Sequence, residues 1–468
     1  MRGVTDAPPR TVPRAAYDAA VARLRAQYAA IPPGAPVRLA KRTSNLFRPR
    51  AATGVPGLDV SAFHGVLSVD TAARTADVLG MTTYEELVDA TLPHGLIPKV
   101  VPQLRTITLG GAVTGLGIES TSFRNGLPHE TVRELEVLTG DGRVVTATPT
   151  GEHRDLFHGF PNSYGTLGYA LRLVIELEPV PSHVRLRHLP FRGPRALDEL
   201  FAAMGAAVDA REVDGVRVDG LDATLFSPEE AYLTAATWED GAPYASDYTG
   251  MDVYYRSIPA RREDHLTVRD YLWRWDTDWF WCSKAFGAQD PRVRRLWPKA
   301  KLRSDTYWRL VALDERTGFS RRLDRVRGRP PREKVIQDVE IPLDRAAGFA
   351  RWLDGEVGMR PVWACPLRQH DPTTTWDLYP FESSTTYVNF GFWGTVPLAP
   401  GEVDGHHDRR IEARVDALGG RKSLYSRAYY APEDFWRLYG GAAYARLKDT
   451  YDADGRLLDL YAKCVGGR

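Results

Sequence analysis

Four glycines at positions 110, 111, 115 and 117 stand within one thirteen-residue run, Thr108-Leu109-Gly110-Gly111-Ala112-Val113-Thr114-Gly115-Leu116-Gly117-Ile118-Glu119-Ser120. Glycine lets the backbone approach another group closely and take positive φ at little cost. Successive free N–H groups in such a run form a concave anion site. With hydroxyls at Thr108, Thr114 and Ser120, the run has what is needed to hold a pyrophosphate without using charge. Two familiar phosphate loops do not fit. The G-x-G-x-x-G dinucleotide fingerprint fails because position 120 is Ser, and the Gly-Lys-Ser/Thr loop fails because no Lys follows the glycines. The plain alternative is a glycine-rich surface turn.

A second polar turn, Lys41-Arg42-Thr43-Ser44-Asn45, offers basic and hydroxyl groups for another phosphate contact, although on its own such a turn reads first as solvated surface. A second glycine-bearing loop runs from Asn162 through Ser163, Gly165 and Thr166 to Gly168.

The elements that must position these loops follow from periodicity. Residues 15–30 read as an amphipathic helix stopped by Ile31-Pro-Pro-Gly34, and 36–40 as a short strand. Short alternating segments follow from 57. Thr82 or Thr83 is placed to cap a helix with acids in its first turn. Residues 96–101 and 169–177 read as strands, and 134–139 and 143–148 as a hairpin around Gly140-Asp141-Gly142. From 184 onward strands at 184–189 and 215–218 alternate with helices such as 196–207. The run from Tyr271 to Trp281 is dense in aromatics and reads as core before pocket. Residues 318–332 form a basic, proline-bearing loop, and Pro432 to Lys448 reads as a helix with Pro and two acids in its first turn.

The 468 residues are too many for one ordinary core. The boundaries expected are an N-terminal helix or arm over 1–34, a first domain over 35–183, a second over 184–420, and a C-terminal segment over 421–468 that returns to the first domain. Lys plus Arg number 61 against 60 Asp plus Glu, so no global charge argues for nucleic acid. Three widely spaced cysteines make no zinc pattern and no disulfide framework, which fits a reducing cytoplasm. The first residues lack the apolar core of a secretory signal, and no stretch of about eighteen apolar residues is present. Twelve Trp and 21 Tyr, most of them after residue 230, suit an apolar pocket as well as a core.

The order of strand, basic turn, small β-α region, TLGG-x-V-x-x-G-x-G-x-x-S, hairpin and Ser-x-Gly-Thr-Leu-Gly resembles the FAD-binding fold of the vanillyl-alcohol-oxidase type. Ser122, Asp155-Leu-Phe157, Pro361-Val-Trp-Ala-Cys-Pro366, Leu424-Tyr425 and Glu433-Asp-Phe-Trp436 narrow the resemblance to its Δ24-sterol reductase branch. The resemblance implies an α+β fold: a two-subdomain PCMH-type FAD-binding domain plus an α+β substrate (cap) domain with an antiparallel sheet. It implies that Thr108, Leu109, Gly110, Gly111, Ala112, Gly115, Gly117, Ile118 and Ser120 wrap the FAD pyrophosphate, mainly through backbone amides. Lys41 to Asn45 would lie at the first pyrophosphate loop. Ser163, Gly165, Thr166 and Gly168 would pack beside the ring system, and Ile175 would serve the adenine or ribose side through its backbone. The first loop has no His and the second no Cys, so FAD is expected to be non-covalent, with no metal.

The same resemblance implies reduction of an isolated carbon–carbon double bond with NADPH. Hydride chemistry belongs to the cofactor, and the protein must supply a proton to the other carbon. Tyr387 and Tyr425 are the candidate donors, with His265, His370 and Glu382 as further titratable residues, each of which reads otherwise as an ordinary core or surface side chain. The segments KRTSNLFR and TLGGAVTGLGIESTSFRNGLPHE resemble bacterial reductases of the tuberculostearic acid pathway, which convert a 10-methylene fatty acyl chain of phospholipid into a 10-methyl chain. Expected partners are a lipid or fatty acyl substrate, peripheral contact with the inner membrane face, and a methyltransferase. A Δ24-sterol-type reductase, an oxidase of an alcohol or sugar using O₂, and a non-catalytic flavoprotein are the alternatives.

Overall fold

Residues 11–41, 47, 57–318, 322 and 326–465 are described by the computed structural model. The short alternating segments of the N-terminal part pair into a six-stranded antiparallel sheet. Its order is Val66–Asp70, Thr75–Leu79, Gly168–Pro179, Val132–Thr139 and Val144–Ala147, with Leu96–Pro98 also on Gly168–Pro179. Gly168–Pro179 is its axis, because its 12 residues are long enough to pair with three strands. Thr83 closes the helix Tyr84–Thr91 with a capping box, its hydroxyl accepting from the Glu86 amide while the Glu86 carboxylate accepts from the Thr83 amide.

A second, eight-stranded sheet runs Glu263–Thr267, His183–Arg192, Glu230–Glu239, Gly220–Ser227, Val362–Leu367, Tyr387–Pro397, Arg332–Pro342 and Arg421–Lys422, with every pair antiparallel. The fold is thus α+β. Alternation gives this sheet two dry faces. Ala223, Val339, Ala364, Val388, Phe390 and Phe392 point to a core closed by the helices Ala196–Ala210, Leu343–Glu356 and His406–Ala417. Asp222, Asp338, Trp363, Cys365, Asn389 and Trp393, one residue out of phase, point the other way, toward Tyr271–Trp281 and the first sheet. Each large apolar side chain buried on either face contributes about 1.5–3 kcal/mol.

The N-terminal helix, Arg14–Ala29, buries Tyr17, Ala20, Leu24 and Tyr28 against Phe63, Leu138 and Leu171. The chain's last part lies against the first sheet's region: the Val37 amide donates to the Arg456 carbonyl at 2.8 Å, and Lys448 Nζ to the Thr166 carbonyl at 2.9 Å. Among the described residues no helix is long and apolar enough to cross a membrane.

Two expected elements differ. The helix expected from Pro432 to Lys448 is two helices, Pro432–Leu438 and Gly441–Tyr451. Gly440 breaks it at φ +65°, with its Cα so close to Asp377 that an added Cβ would lie 2.0 Å from that carbonyl oxygen. The glycine-rich run is not a loop throughout. Thr108 caps a helix over Leu109–Gly115, because Gly110 lets that helix press onto the Gly80 carbonyl, to which its amide donates at 2.9 Å.

Candidate active site

A cavity of about 430 Å³ lies between the glycine helix and the out-of-phase face of the second sheet. At one end it is lined by Arg38, Lys41, Thr108, Gly110 and Gly111, and further along by Gly115, Leu116, Gly117 and Ile118. Gly165, Gly168 and Tyr164 of the second glycine loop also line it. Tyr164 clamps the two loops together: its amide donates to the Thr114 carbonyl at 3.0 Å and its hydroxyl to the Gly115 carbonyl at 2.7 Å.

The helix start does not offer its amides to the cavity. Those of Leu109, Gly110 and Gly111 donate to Thr82 O, Gly80 O and Thr108 Oγ1, so of the amides expected along Thr108–Ser120 these three are taken up within the protein. Lys41 instead brings an ammonium there, its Nζ donating to Thr108 Oγ1 at 3.1 Å. Among the described residues the amides of Gly117 and Ile118 donate to no group of the chain, and both residues line the cavity. A Cβ on Gly111 would lie 2.8 Å from Thr108 Oγ1, and one on Gly117 would lie 2.9 Å from Pro102. A cation, a hydroxyl, unused amides and a wall kept bare of side chains suit a dinucleotide with a pyrophosphate.

The other end is aromatic: Phe47, Trp279, Phe280, Trp363, Trp393 and Tyr425. Phe280 and Trp393 pack at 4.2 Å between ring centroids, and Phe47 packs on Trp279, Trp308 and Tyr425. Trp279 (φ +46°) and Phe280 (φ +60°) are consecutive left-handed non-glycine residues. Such strain costs about 1–2 kcal/mol per residue and clusters at ligand sites.

One carboxyl faces this end. Asp338 sits on Arg332–Pro342 and lines the cavity. Asn389 Nδ2 donates to its Oδ1 at 3.0 Å, the Tyr425 hydroxyl also bonds it, and Trp393 Nε1 donates to the Tyr425 oxygen at 2.9 Å. Burial raises the Asp338 carboxyl to about 7, against the lowering effect of the Asn389 and Tyr425 hydrogen bonds. Burial likewise pushes the Tyr425 hydroxyl far above its usual range. Glu340, two residues along the same strand, is raised to about 8, first by burial and then by the nearby Asp338 charge. It bonds Tyr379 and Ser423, and Ser423 lines the cavity.

Behind the aromatic wall lies a buried ionic cluster. Arg274 Nη2 donates to Asp222 Oδ2 at 2.8 Å, and both its Nη atoms approach Glu119 Oε1 at 3.4 Å. Asp222 Oδ2 also accepts from Trp363 Nε1 at 3.2 Å, which fixes that cavity-lining ring. Ser120 bonds Glu119 and Tyr271.

Several expected site residues lie elsewhere. Tyr387 is on the cavity face of its strand but at its far end, paired with Pro342. That is four residues, roughly 13 Å, from the Asp338 position. Its hydroxyl accepts from the Glu382 amide at 3.3 Å and its ring packs on Phe381. Leu109 and Ala112 turn into the core. Ser120 serves the Arg274 cluster. Ser163 and Thr166 are wholly buried and absent from the cavity wall, with Thr166 Oγ1 donating to the Ser163 carbonyl. Ile175 is also off the cavity, its backbone committed to the ladders with Ala76 and Val132. Of the first polar turn, Lys41 lines the cavity, while Arg42, Thr43, Ser44 and Asn45 lie outside the described residues. Among the described residues no group of three or more His, Cys, Asp or Glu side chains could hold a metal ion.

Residues 20–148, which contain the glycine helix and much of the first sheet, match the family model described as an FAD binding domain. The chain is an FAD-dependent oxidoreductase. Over 88% of its length it is similar to the Delta(24)-sterol reductase of Pisum sativum, at 25% identity across 76% of that protein. It is similar to that of Homo sapiens at 25% identity over 86% of this chain and 77% of the human protein. Cytokinin dehydrogenase 5 of Arabidopsis thaliana is 35% identical, but over 29% of this chain and 26% of its own.

Proposed function

We propose that this chain reduces a carbon–carbon double bond of a lipid with NADPH, and that its substrate is a 10-methylene fatty acyl chain of phospholipid, converted to the 10-methyl chain of the tuberculostearic acid pathway. The observation that carries the reading is a single cavity with a polar, cation-bearing end for a pyrophosphate and an aromatic end for an apolar chain, with one carboxyl facing the apolar end. Similarity to proteins named Delta(24)-sterol reductase over most of the chain supports lipid double-bond reduction, and makes a Δ24-unsaturated sterol the second substrate reading.

Lys41, Thr108 and the amides of Gly117 and Ile118 would hold FAD, with Gly110, Gly111, Gly115, Gly165 and Gly168 leaving room for it. The cofactor supplies hydride transfer between NADPH and the lipid. Among the described residues the cavity wall contains no His or Cys, which supports non-covalent FAD. The aromatic rings exclude water and orient the alkene, and Asp222 fixes Trp363 within that wall.

Exposed apolar side chains beside the aromatic end support peripheral membrane contact. The helix Ser304–Thr317 packs Trp308 against Phe47 and Trp279, and carries exposed Leu313, Arg309 and Arg316. Leu296, 85% exposed, stands just before it among exposed Arg292, Arg295, Lys299 and Lys301. Basic residues near an anionic surface contribute about 1 kcal/mol each.

The test is anaerobic mixing of the purified yellow protein with NADPH, and separately NADH, while the visible flavin band is followed. Bleaching by NADPH that reverses on adding phospholipid vesicles with methylene-branched chains is the expected result. Reversal by a Δ24-unsaturated sterol alone would move the substrate to the sterol reading. No bleaching by either nicotinamide would refute the reductase reading and favour an oxidase.

A further inference from the structure

Of the titratable groups around the cavity, only some combine access with a partner set suited to proton transfer. Lys41 is engaged with Thr108 at the polar end. Glu340 is held behind the wall by Tyr379 and Ser423. Glu119 is locked to Arg274 and Ser120 outside the cavity. Asp338 is different: it lines the cavity at its aromatic end.

The local geometry is arranged around it. Asp338 pairs with Gly391, which on its other side pairs with Trp363. A Cβ on Gly391 would lie 2.7 Å from Asp338 Oδ1 and 2.5 Å from the Trp393 ring, so glycine is what allows the carboxyl and the Trp393 indole to converge. From each packed element, the groups facing Asp338 are Asn389 on the neighbouring strand, Tyr425 on the C-terminal segment, Glu340 on its own strand and the Cys365 thiol one strand further. Among the groups acting on it, no cation appears that would hold it ionised.

Resting on the reductase reading above, we propose that Asp338 is the proton donor to the lipid double bond and that Tyr425 is the residue that positions it. When the π bond breaks, the bound cofactor would supply the hydride to one carbon. The other takes the proton of the Asp338 carboxyl, and two C–H bonds form. Asp338 is left as a carboxylate, stabilised by hydrogen bonds from Asn389 and Tyr425, and regains a proton from water after product leaves. A carboxyl raised to about 7 is a competent acid at neutral pH, where an ordinary aspartate would be ionised. Tyr387 has no such role, because it is roughly 13 Å along the sheet.

The experiment separates the two half-reactions. Asp338→Asn should bind FAD and be bleached by NADPH as the wild type is. It should then recolour at least about 100-fold more slowly with methylene-branched phospholipid vesicles or a Δ24-unsaturated sterol, whichever recolours the wild type. Asp338→Glu should recover part of the rate. Recolouring of Asp338→Asn at the wild-type rate would overturn the proposal.

Infrared titration of the protein without lipid gives an independent readout. A protonated-carboxyl band that disappears with a midpoint near 7 and is absent from Asp338→Asn is expected. The midpoint should rise in Tyr425→Phe, because the lost hydrogen bond favours the charged form. If NADPH fails to bleach the wild type, the reductase reading fails, and the infrared result still decides Asp338: ionisation complete by about pH 5 would exclude it as an acid at neutral pH.

Discussion

Replacing Arg274 with methionine should destabilise the protein from behind its aromatic wall. The guanidinium is 1% exposed and pairs with two buried carboxylates, Asp222 and Glu119, also 1% and 2% exposed. It stacks on Tyr271 at 4.0 Å as well. Methionine roughly keeps the volume but leaves both acids without a cation. Removing one partner of a buried pair costs about 3–5 kcal/mol. With a urea slope of about 3 kcal/mol/M, that moves the midpoint down by roughly 1–1.7 M. Tryptophan fluorescence reports it directly, since Trp275 and Trp363 both donate to Asp222.

The pH dependence has a definite sign. Burial already raises the Glu119 carboxyl, and losing Arg274 removes the main influence that lowers it. The folded variant then binds protons more tightly than its unfolded chain, so its stability rises as pH falls toward the ordinary carboxylate range. The deficit should be larger at pH 7.5 than at pH 5.5. Adding Asp222→Asn, which removes one stranded charge, should recover at least about 1 kcal/mol. A midpoint unchanged within about 0.2 M, or a deficit that grows on acidification, would refute the reasoning.

Three further outcomes are expected. Gly111→Val places a branched Cβ within 2.8 Å of Thr108 Oγ1, and should give a folded protein of greatly reduced flavin content; normal flavin absorbance per chain would contradict the role of this wall. Thr83→Ala removes both side-chain bonds of the capping box hydroxyl and should cost about 1 kcal/mol in urea unfolding, with flavin binding retained. Leu296→Asp should weaken sedimentation with anionic phospholipid vesicles several-fold while NADPH bleaching is unchanged, and equal sedimentation of the two proteins would dismiss this face as the membrane contact.

The glycine run, the hairpin and the long strand after Gly168 were legible because each depends on local chemistry: turn residues and alternation. The same run misled in one respect. Glycine costs about 1 kcal/mol inside a helix, so two in succession read as loop, whereas here Gly110 is selected for contact with Gly80. Asp338 was not legible at all. In Arg332-Glu-Lys-Val-Ile-Gln-Asp-Val-Glu340 charged and apolar residues are interspersed, and nothing in their types marks Asp338 out. Both faces of that strand are covered, and only the register with Gly391 and Trp393 shows where Asp338 points. Tyr387 is the converse case, a residue of suitable type that shares a sheet face with Asp338 but stands at the far end of its strand, opposite Pro342. The aromatic run from Tyr271 divides its duties: Trp275 is core, while Trp279 and Phe280 are cavity wall.

The bridge between Phe47 and Ser426 joins the two ends of the polypeptide across the cavity, and Ser423, Tyr425, Leu458 and Lys463 complete its wall. At about 5–20 residues per second, a ribosome needs roughly 20–80 s to travel from one side of that bridge to the other. For most of that interval the glycine helix has been made, while Ser423, Tyr425, Leu458 and Lys463 of the cavity wall have not. Under the cofactor placement proposed above, the closed site would form only once the segment around Ser426 has been made. A nascent molecule would display an aromatic-rich, unsealed cleft to chaperones and proteases until that segment arrives.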